Sequence, residues 1–256
     1  MFMKPYLLCW LIMFIPCSGL GQPIASGVYA WDKATVVRGT GFEERTLLNG
    51  STRGFSTMTV QAITLGANHP TQPDQQLDEE AILVVKEGHL TVTLEQKRQV
   101  LGPGSVVLIM PGDFFRLENK TAQPLTYYQI RLTSSEVPDL DLYRLMGQSF
   151  WINGPEETNA SAERSEGRLL FEGPTLMTKR MRLYVTTLDS GASTHSHAVH
   201  AEAELLIGLD KTAKLSLEGV VQSANQGDAV FIASNAEHTL QNRGSVGYTY
   251  LSIRFH

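Results

Sequence analysis

Cysteine is almost absent: the 256 residues hold two, Cys9 and Cys17. Both lie in an N-terminal segment with the three-part pattern of an export signal. Lys4 precedes the apolar run YLLCWLIMFI, and the small residues Gly19 and Gly21 follow Pro16. Cleavage after Gly21 is expected, leaving Gln22 as the first residue of an exported, periplasmic or secreted protein. A lipid anchor on Cys17 fits poorly behind Pro16. Without residues 1–21 the chain has no thiol, which excludes disulfides and thiolate chemistry and leaves stability to a packed core. Runs of lysine or arginine are also missing. There are 21 basic against 26 acidic side chains, a net charge of −5, and this excludes nucleic acid as the main partner. Beyond the leader no apolar run approaches the ~20 residues of a membrane-spanning helix. What remains, 42% hydrophobic and 18% charged, has the composition of a globular protein with a sizeable core.

The chain repeats itself. Residues 79–132 lie on 202–255 without a gap at an offset of 123, so that LTVTLEQKRQVLGPGSVVLIMPGDFFRLEN meets AKLSLEGVVQSANQGDAVFIASNAEHTLQN. Gly104 meets Gly227, Val107 meets Val230, Leu117 meets Leu240 and Asn119 meets Asn242. Upstream, VQAITLGAN on VTTLDSGAS suggests an offset of 125 and hence a loop two residues longer in one copy. A duplication of about 110 residues is the simplest account. Each copy reads as strands: LTVTL and AKLSL alternate with period two, and SVVLIM and DAVFIA are short apolar runs after a glycine. Turn residues every eight to twelve positions or so predict an all-β sandwich or barrel. The stretch between the copies, with GPEETNASAERSEG, reads as an irregular linker.

In the second copy THSHAVHAEAELL, residues 194–206, is followed by GDAVFIASNAEHTLQN. A histidine cluster with glutamates, then glycine, a turn, His238 and Asn242, resembles the two-part motif of the cupin superfamily. The duplication extends the resemblance to a bicupin over nearly all of the chain after the leader. It implies two tandem double-stranded β-helix (jelly-roll) barrels. Residues 22–140 would form the N-terminal barrel, 141–175 the linker and 176–256 the C-terminal barrel. The second copy departs from the motif at Ala233 and Asn235, where the family has proline and glycine.

In cupins such histidines and the glutamate usually bind a divalent metal, and residues at i and i+2 on a strand share a face, so two imidazoles can aim at one ion. Two registers compete here. In one, His195 and His197 are the pair and Glu202 is the acid. In the other, counting back from the hairpin turn as in the first copy selects Glu204, with His200 four residues before it. Both use His238. The ligand candidates are therefore His195, His197, His200, Glu204 and His238. Glu202 is the candidate acid–base group. Asn119 and Asn242 read as side-chain amides that close turns. Tyr250 and Arg254 are assigned to the fold, because Tyr127 and Arg131 stand at the matching places. The first copy lacks the ligands: Ala81 takes the glutamate's place and Phe115 that of His238, which predicts a metal-free barrel packed with apolar side chains. Glu79 and Glu80 are expected at a strand end on the surface.

One live and one degenerate barrel is an arrangement also seen in bicupins similar to ureidoglycine aminohydrolase. The resemblance implies one divalent transition metal (Mn, Fe, Zn, Ni or Cu); the ligand set differs from that of those bicupins, so their substrate is not carried over, and the expectation is a small polar substrate bearing a carboxylate or carbonyl. A cupin-type hydrolase, oxygenase or lyase fits this, with metal as Lewis acid. The alternative is a non-catalytic bicupin that binds a small molecule or sugar, since cupins include both. Assembly into a homo-oligomer is compatible with either.

Overall fold

The computed structural model describes residues 21–138, 141, 148–154, 167–194, 200–209 and 212–255. All of the expected leader except Gly21, most of the polar stretch between the copies, and His195 and His197 fall outside these residues. No helix among the described residues is long and apolar enough to cross a membrane.

Among the described residues nineteen strands carry the fold. Those of the first half are β1 Gly27–Tyr29, β2 Thr35–Gly39, β3 Phe42–Gly50, β4 Phe55–Leu65, β5 Glu80–Glu87, β6 Leu90–Leu94, β7 Lys97–Leu101, β8 Val106–Ile109, β9 Phe115–Glu118 and β10 Leu125–Ser134. Those of the second are β11 Phe150–Ile152, β12 Arg168–Gly173, β13 Met181–Leu188, β14 Ala203–Gly208, β15 Ala213–Leu217, β16 Val220–Ala224, β17 Ala229–Ile232, β18 His238–Gln241 and β19 Tyr248–Phe255. A seven-stranded sheet, β11-β8-β5-β10-β4-β3-β2, faces the small sheet β7-β6-β9, and a six-stranded sheet, β1-β17-β14-β19-β13-β12, faces β16-β15-β18. The result is two tandem jelly-roll barrels. The segment expected as linker is not wholly irregular, for it supplies β11 to the first barrel's large sheet and β12 to the second's. β1, expected in the first barrel, instead pairs with β17 of the second.

Period two explains the core. On β5, Ala81, Leu83 and Val85 point into the first barrel, while Ile82 and Val84 point away from it. On β14, Leu206 points into the second barrel, while Leu205 and Ile207 point away. The outward residues of the two large sheets pack against each other in the largest of the three apolar clusters, with Phe55 edge-on to Phe255 at 5.3 Å. These strands are covered on both faces, which is why AILVV and LLIG read as unbroken apolar runs. The Tyr128 hydroxyl crosses the seam to donate to the Gly227 carbonyl at 3.0 Å.

The duplication is visible bond by bond. Asn119 Nδ2 donates to the carbonyls of Leu65, Gly66 and Gln123, and Asn242 Nδ2 to those of Leu188, Asp189 and Val246. Each pair is 123 residues apart. The ladders agree: Val60 pairs with Ile130, and Leu183 with Ile253. The offset of 125 expected upstream is therefore wrong, and Val60 corresponds to Leu183. A slip of two residues keeps every side chain on its face, so the hydrophobic pattern cannot detect it.

Glu80 corrects a second expectation. It is 0% exposed, at the seam between the barrels, where the Thr175 hydroxyl donates to Oε1 at 2.8 Å and the Met177 N–H to Oε2 at 3.2 Å. Burial pushes its carboxyl up from 4.5 to about 7, against the pull of these hydrogen bonds. A carboxyl raised on folding costs stability once ionised. The cost is absent below the unfolded value of 4.5 and grows until pH passes about 7. Glu80→Gln is expected to remove this slope and to gain about 3 kcal/mol over the native chain near neutral to alkaline pH. Urea midpoints measured across that range check it, and an unchanged slope would refute it.

Candidate metal centre

Glu204 stands on β14, whose parity turns it into the second barrel beside Leu206. It is 3% exposed. Its cross-strand neighbours are Ile232 on β17 and Arg254 on β19, and Arg254 in turn stands opposite Arg182 on β13. Oε1 accepts hydrogen bonds from the Ser252 hydroxyl and from Arg254 Nε, the latter at 3.2 Å. Oε2 faces two imidazoles, His200 Nε2 at 3.2 Å and His238 Nε2 at 3.2 Å. Burial alone would raise this carboxyl, but His200, His238, Arg254 and Ser252 together hold it well below the usual range.

His238 opens β18, and His200 lies just before β14. The turn between β17 and β18 links them. Asn235 takes the left-handed conformation, φ 62°, at the place where the first copy has Gly112 with φ 83°. Asparagine tolerates this region better than most residues, so the missing glycine leaves the turn intact. The Asn235 N–H donates to the His200 carbonyl at 2.8 Å, which pins His200 over the barrel mouth. The two rings lie 5.3 Å apart and nearly perpendicular, at 83°.

The tautomers follow from the partners. His200 Nδ1 donates to the Glu202 carbonyl at 2.7 Å and His238 Nδ1 to the Ala236 carbonyl at 3.0 Å. A carbonyl only accepts, so each Nδ1 carries its proton. Both Nε2 atoms then approach one carboxylate oxygen either as imidazolium donors or with lone pairs free for a cation. Burial opposes charge on His238, yet Glu204 outweighs it and raises the imidazole pKa. The donor atoms of His200, Glu204 and His238 all lie within 4.8 Å of one another. Two neutral imidazole nitrogens oriented by backbone carbonyls, with one carboxylate oxygen, are a donor set that suits a first-row divalent metal. Among the described residues this is the only such group.

The other predicted site residues separate from this triad. His195 and His197 lie outside the described residues. The Glu202 carboxylate turns to Arg182, with which it forms a hydrogen-bonded ion pair, and its Oε2 is 3.8 Å from His200 Nδ1. Burial would raise its pKa, but backbone hydrogen bonding and Arg182 hold it below the usual range. Arg254, assigned to the fold on the strength of its repeat partner, touches Glu204 and lies over the Tyr184 ring at 5.5 Å. The repeat alone gave no signal for it, because only the ladder sets residue 254 directly across from residue 204. In the first barrel the corresponding row is Ile109, Ala81, Arg131 and Thr59, and Arg131 there pairs with Glu79 at 3.4 Å. Phe115 stands in place of His238 and packs in that barrel's apolar cluster.

Comparison with known proteins agrees with this architecture. An AraC-like ligand binding domain model matches residues 62–160, and a cupin domain model matches residues 184–254. No curated protein matches the chain in sequence. Among solved structures, AerE from Microcystis aeruginosa is similar with a TM-score of 0.67 at 12% identity, over 87% of this chain and 97% of that one. Ylba from E. coli has a TM-score of 0.60 at 16% identity, over 90% of each chain. The oxalate decarboxylase formate complex from Lactobacillus farciminis has a TM-score of 0.64 at 10% identity, over 93% and 88%. The solved structures share the fold along most of the chain, and with a ligand binding domain matched over residues 62–160 and a cupin domain over 184–254 the chain is a two-domain member of the cupin superfamily.

Proposed function

We propose that the protein is a metal-dependent enzyme acting on a small carboxylate- or carbonyl-bearing substrate at the mouth of its C-terminal barrel. One observation carries this reading. Two imidazoles whose Nδ1 protons are committed to backbone carbonyls present Nε2 to the same oxygen of a buried carboxylate. His200, Glu204 and His238 would hold the ion. A divalent metal bound there supplies a Lewis acid that polarises a substrate oxygen.

The remaining roles belong to the chain itself. Arg254 and Arg182 stand side by side across the ladder, an arrangement that repels unless anions are near. Glu202 and Glu204 balance that charge, and an ion that draws on Glu204 would leave Arg254 to meet a substrate carboxylate. Oxalate, named for one structural relative, is a small anion of this class. Glu202 is held ionised by Arg182, which suits a base that takes up a proton rather than an acid that gives one. Tyr250 lies deeper, its phenol pushed up to about 12 by burial and by Glu204. It therefore stays protonated and serves the wall of the site.

The test is turnover of a panel of small carboxylates, ureides and uronates by protein freed of metal with a chelator and then reloaded with one metal at a time. Activity that vanishes on chelation and returns with one metal is expected. A ligand bound unchanged, with affinity indifferent to metal, would show a non-catalytic binding protein instead.

A further inference from the structure

One arginine is kept in both barrels and paired differently in each. In the first barrel Arg131 pairs with Glu79, whose match in the second is Glu202. Thr59, across the ladder from Arg131, brings no charge. In the second barrel Arg182 stands at the place of Thr59, across from Arg254, and engages Glu202. Arg254, the match of Arg131, turns instead to Glu204 at 3.2 Å, where the first barrel has Ala81. An arginine at this strand position thus serves either of two carboxylates, and the second barrel holds it on the one that faces His200 and His238.

The charges around Glu204 are balanced without an ion. Glu202 and Glu204 bring two negative charges, and Arg182 and Arg254 two positive ones. A divalent cation beside Oε2 adds two more positive charges next to a guanidinium bound to Oε1 of the same buried carboxylate. In such a place the effective dielectric is about 20 rather than about 80, so like charges a few ångströms apart repel several times more strongly than in water. Arg254 and a cation therefore compete for one negative charge. Arg254 also has room to leave: its side chain is 31% exposed and rests against the Tyr184 ring. Given the proposed metal centre, we infer that Arg254 is a built-in counter-ion, which holds the Glu204 carboxylate when no metal is bound, lowers the affinity for metal, and gives the carboxylate up when an ion takes its place. Ser252, a neutral donor to the same oxygen, does not compete in this way.

The experiment is competition between the full chain and a chromophoric chelator for Zn²⁺ and for Mn²⁺, each alone. Arg254→Met keeps an apolar stem against Tyr184 and is expected to bind metal roughly tenfold or more tightly than the native chain. Loss of packing only weakens binding, so a gain is a readout that a structural role does not give. Arg254→Lys keeps the charge and is expected to bind like the native chain. Ser252→Ala removes a hydrogen bond but no charge and is expected to gain nothing. Folded Arg254→Met that binds no more tightly than the native chain would overturn the proposal. So would an equal gain in Arg254→Lys or Ser252→Ala, which would assign the effect to a freed oxygen rather than to charge. Should Arg254→Met not fold, Arg182→Met decides in the same way, because it frees Glu202 to draw Arg254 off Glu204 and is expected to gain as well. A native chain that takes up neither ion would overturn the metal centre itself, whereas uptake by the native chain without a gain in the variant overturns the counter-ion alone.

Discussion

Glu204→Gln is expected to abolish retention of a divalent metal, while Glu202→Gln weakens it by about 10–100-fold. The two residues are two apart, but Glu202 precedes β14 and their surroundings differ. Glu204 is the carboxylate that both Nε2 atoms approach, and Ser252 and Arg254 hold its other oxygen. An amide of the same shape removes the negative charge and leaves two imidazoles beside Arg254 with nothing to balance them. Glu202 acts at one remove: its carbonyl orients His200 and its carboxylate holds Arg182. Substitution of its side chain leaves the carbonyl in place. Metal per chain, determined by elemental analysis after gel filtration, distinguishes the cases, with circular dichroism to show that both variants fold. The reverse order of effects would make His195 and His197 the ligand pair and Glu202 the acid.

The matched positions His238 and Phe115 should respond in opposite ways. His238→Ala removes a donor and is expected to lose most of the bound metal. Phe115→Ala is expected to keep the metal and lose about 3–5 kcal/mol of stability, as a truncation in a packed core. Phe115 is among the largest fully buried side chains and packs with Leu83 and Tyr127 in the first barrel. Denaturant melts and metal content on the same two preparations are sufficient. Two metals per native chain would refute the division into one polar and one apolar barrel.

The sequence was legible up to slips of two residues. Period two identifies which side chains share a face, so the barrels, the seam and the inward turn of residues 204 and 206 could all be read. It does not say how far along the strand a side chain sits. The offset of 125 and the choice between Glu202 and Glu204 therefore share one physical origin. Hydrogen bonds from Asn119 and Asn242 fix the register, and sequence does not display them. Glu80 was misplaced because a carboxylate at a strand start looks like surface. Only the second barrel, packed against its first turn, makes that position interior. Arg254 was set aside because its partner Arg131 is kept, although the same ladder position serves a different neighbour in each copy.

β1 has a consequence for folding. Its three residues pair with partners on β17 that lie about 200 residues further along the sequence, a contact of very long range. The first barrel closes around its own strands. The second cannot cover its β17 edge until it captures a segment that lies on the far side of the first barrel in the sequence. Trp31 marks the place of capture: its N–H donates to Asp228 at 2.8 Å, and its ring lies against Gly227, where any side chain would collide with it. The β17 edge of the second barrel is thus closed by a segment that precedes every strand of the first. A C-terminal fragment made without residues 22–31 would expose an unpaired strand edge that recruits a neighbouring molecule.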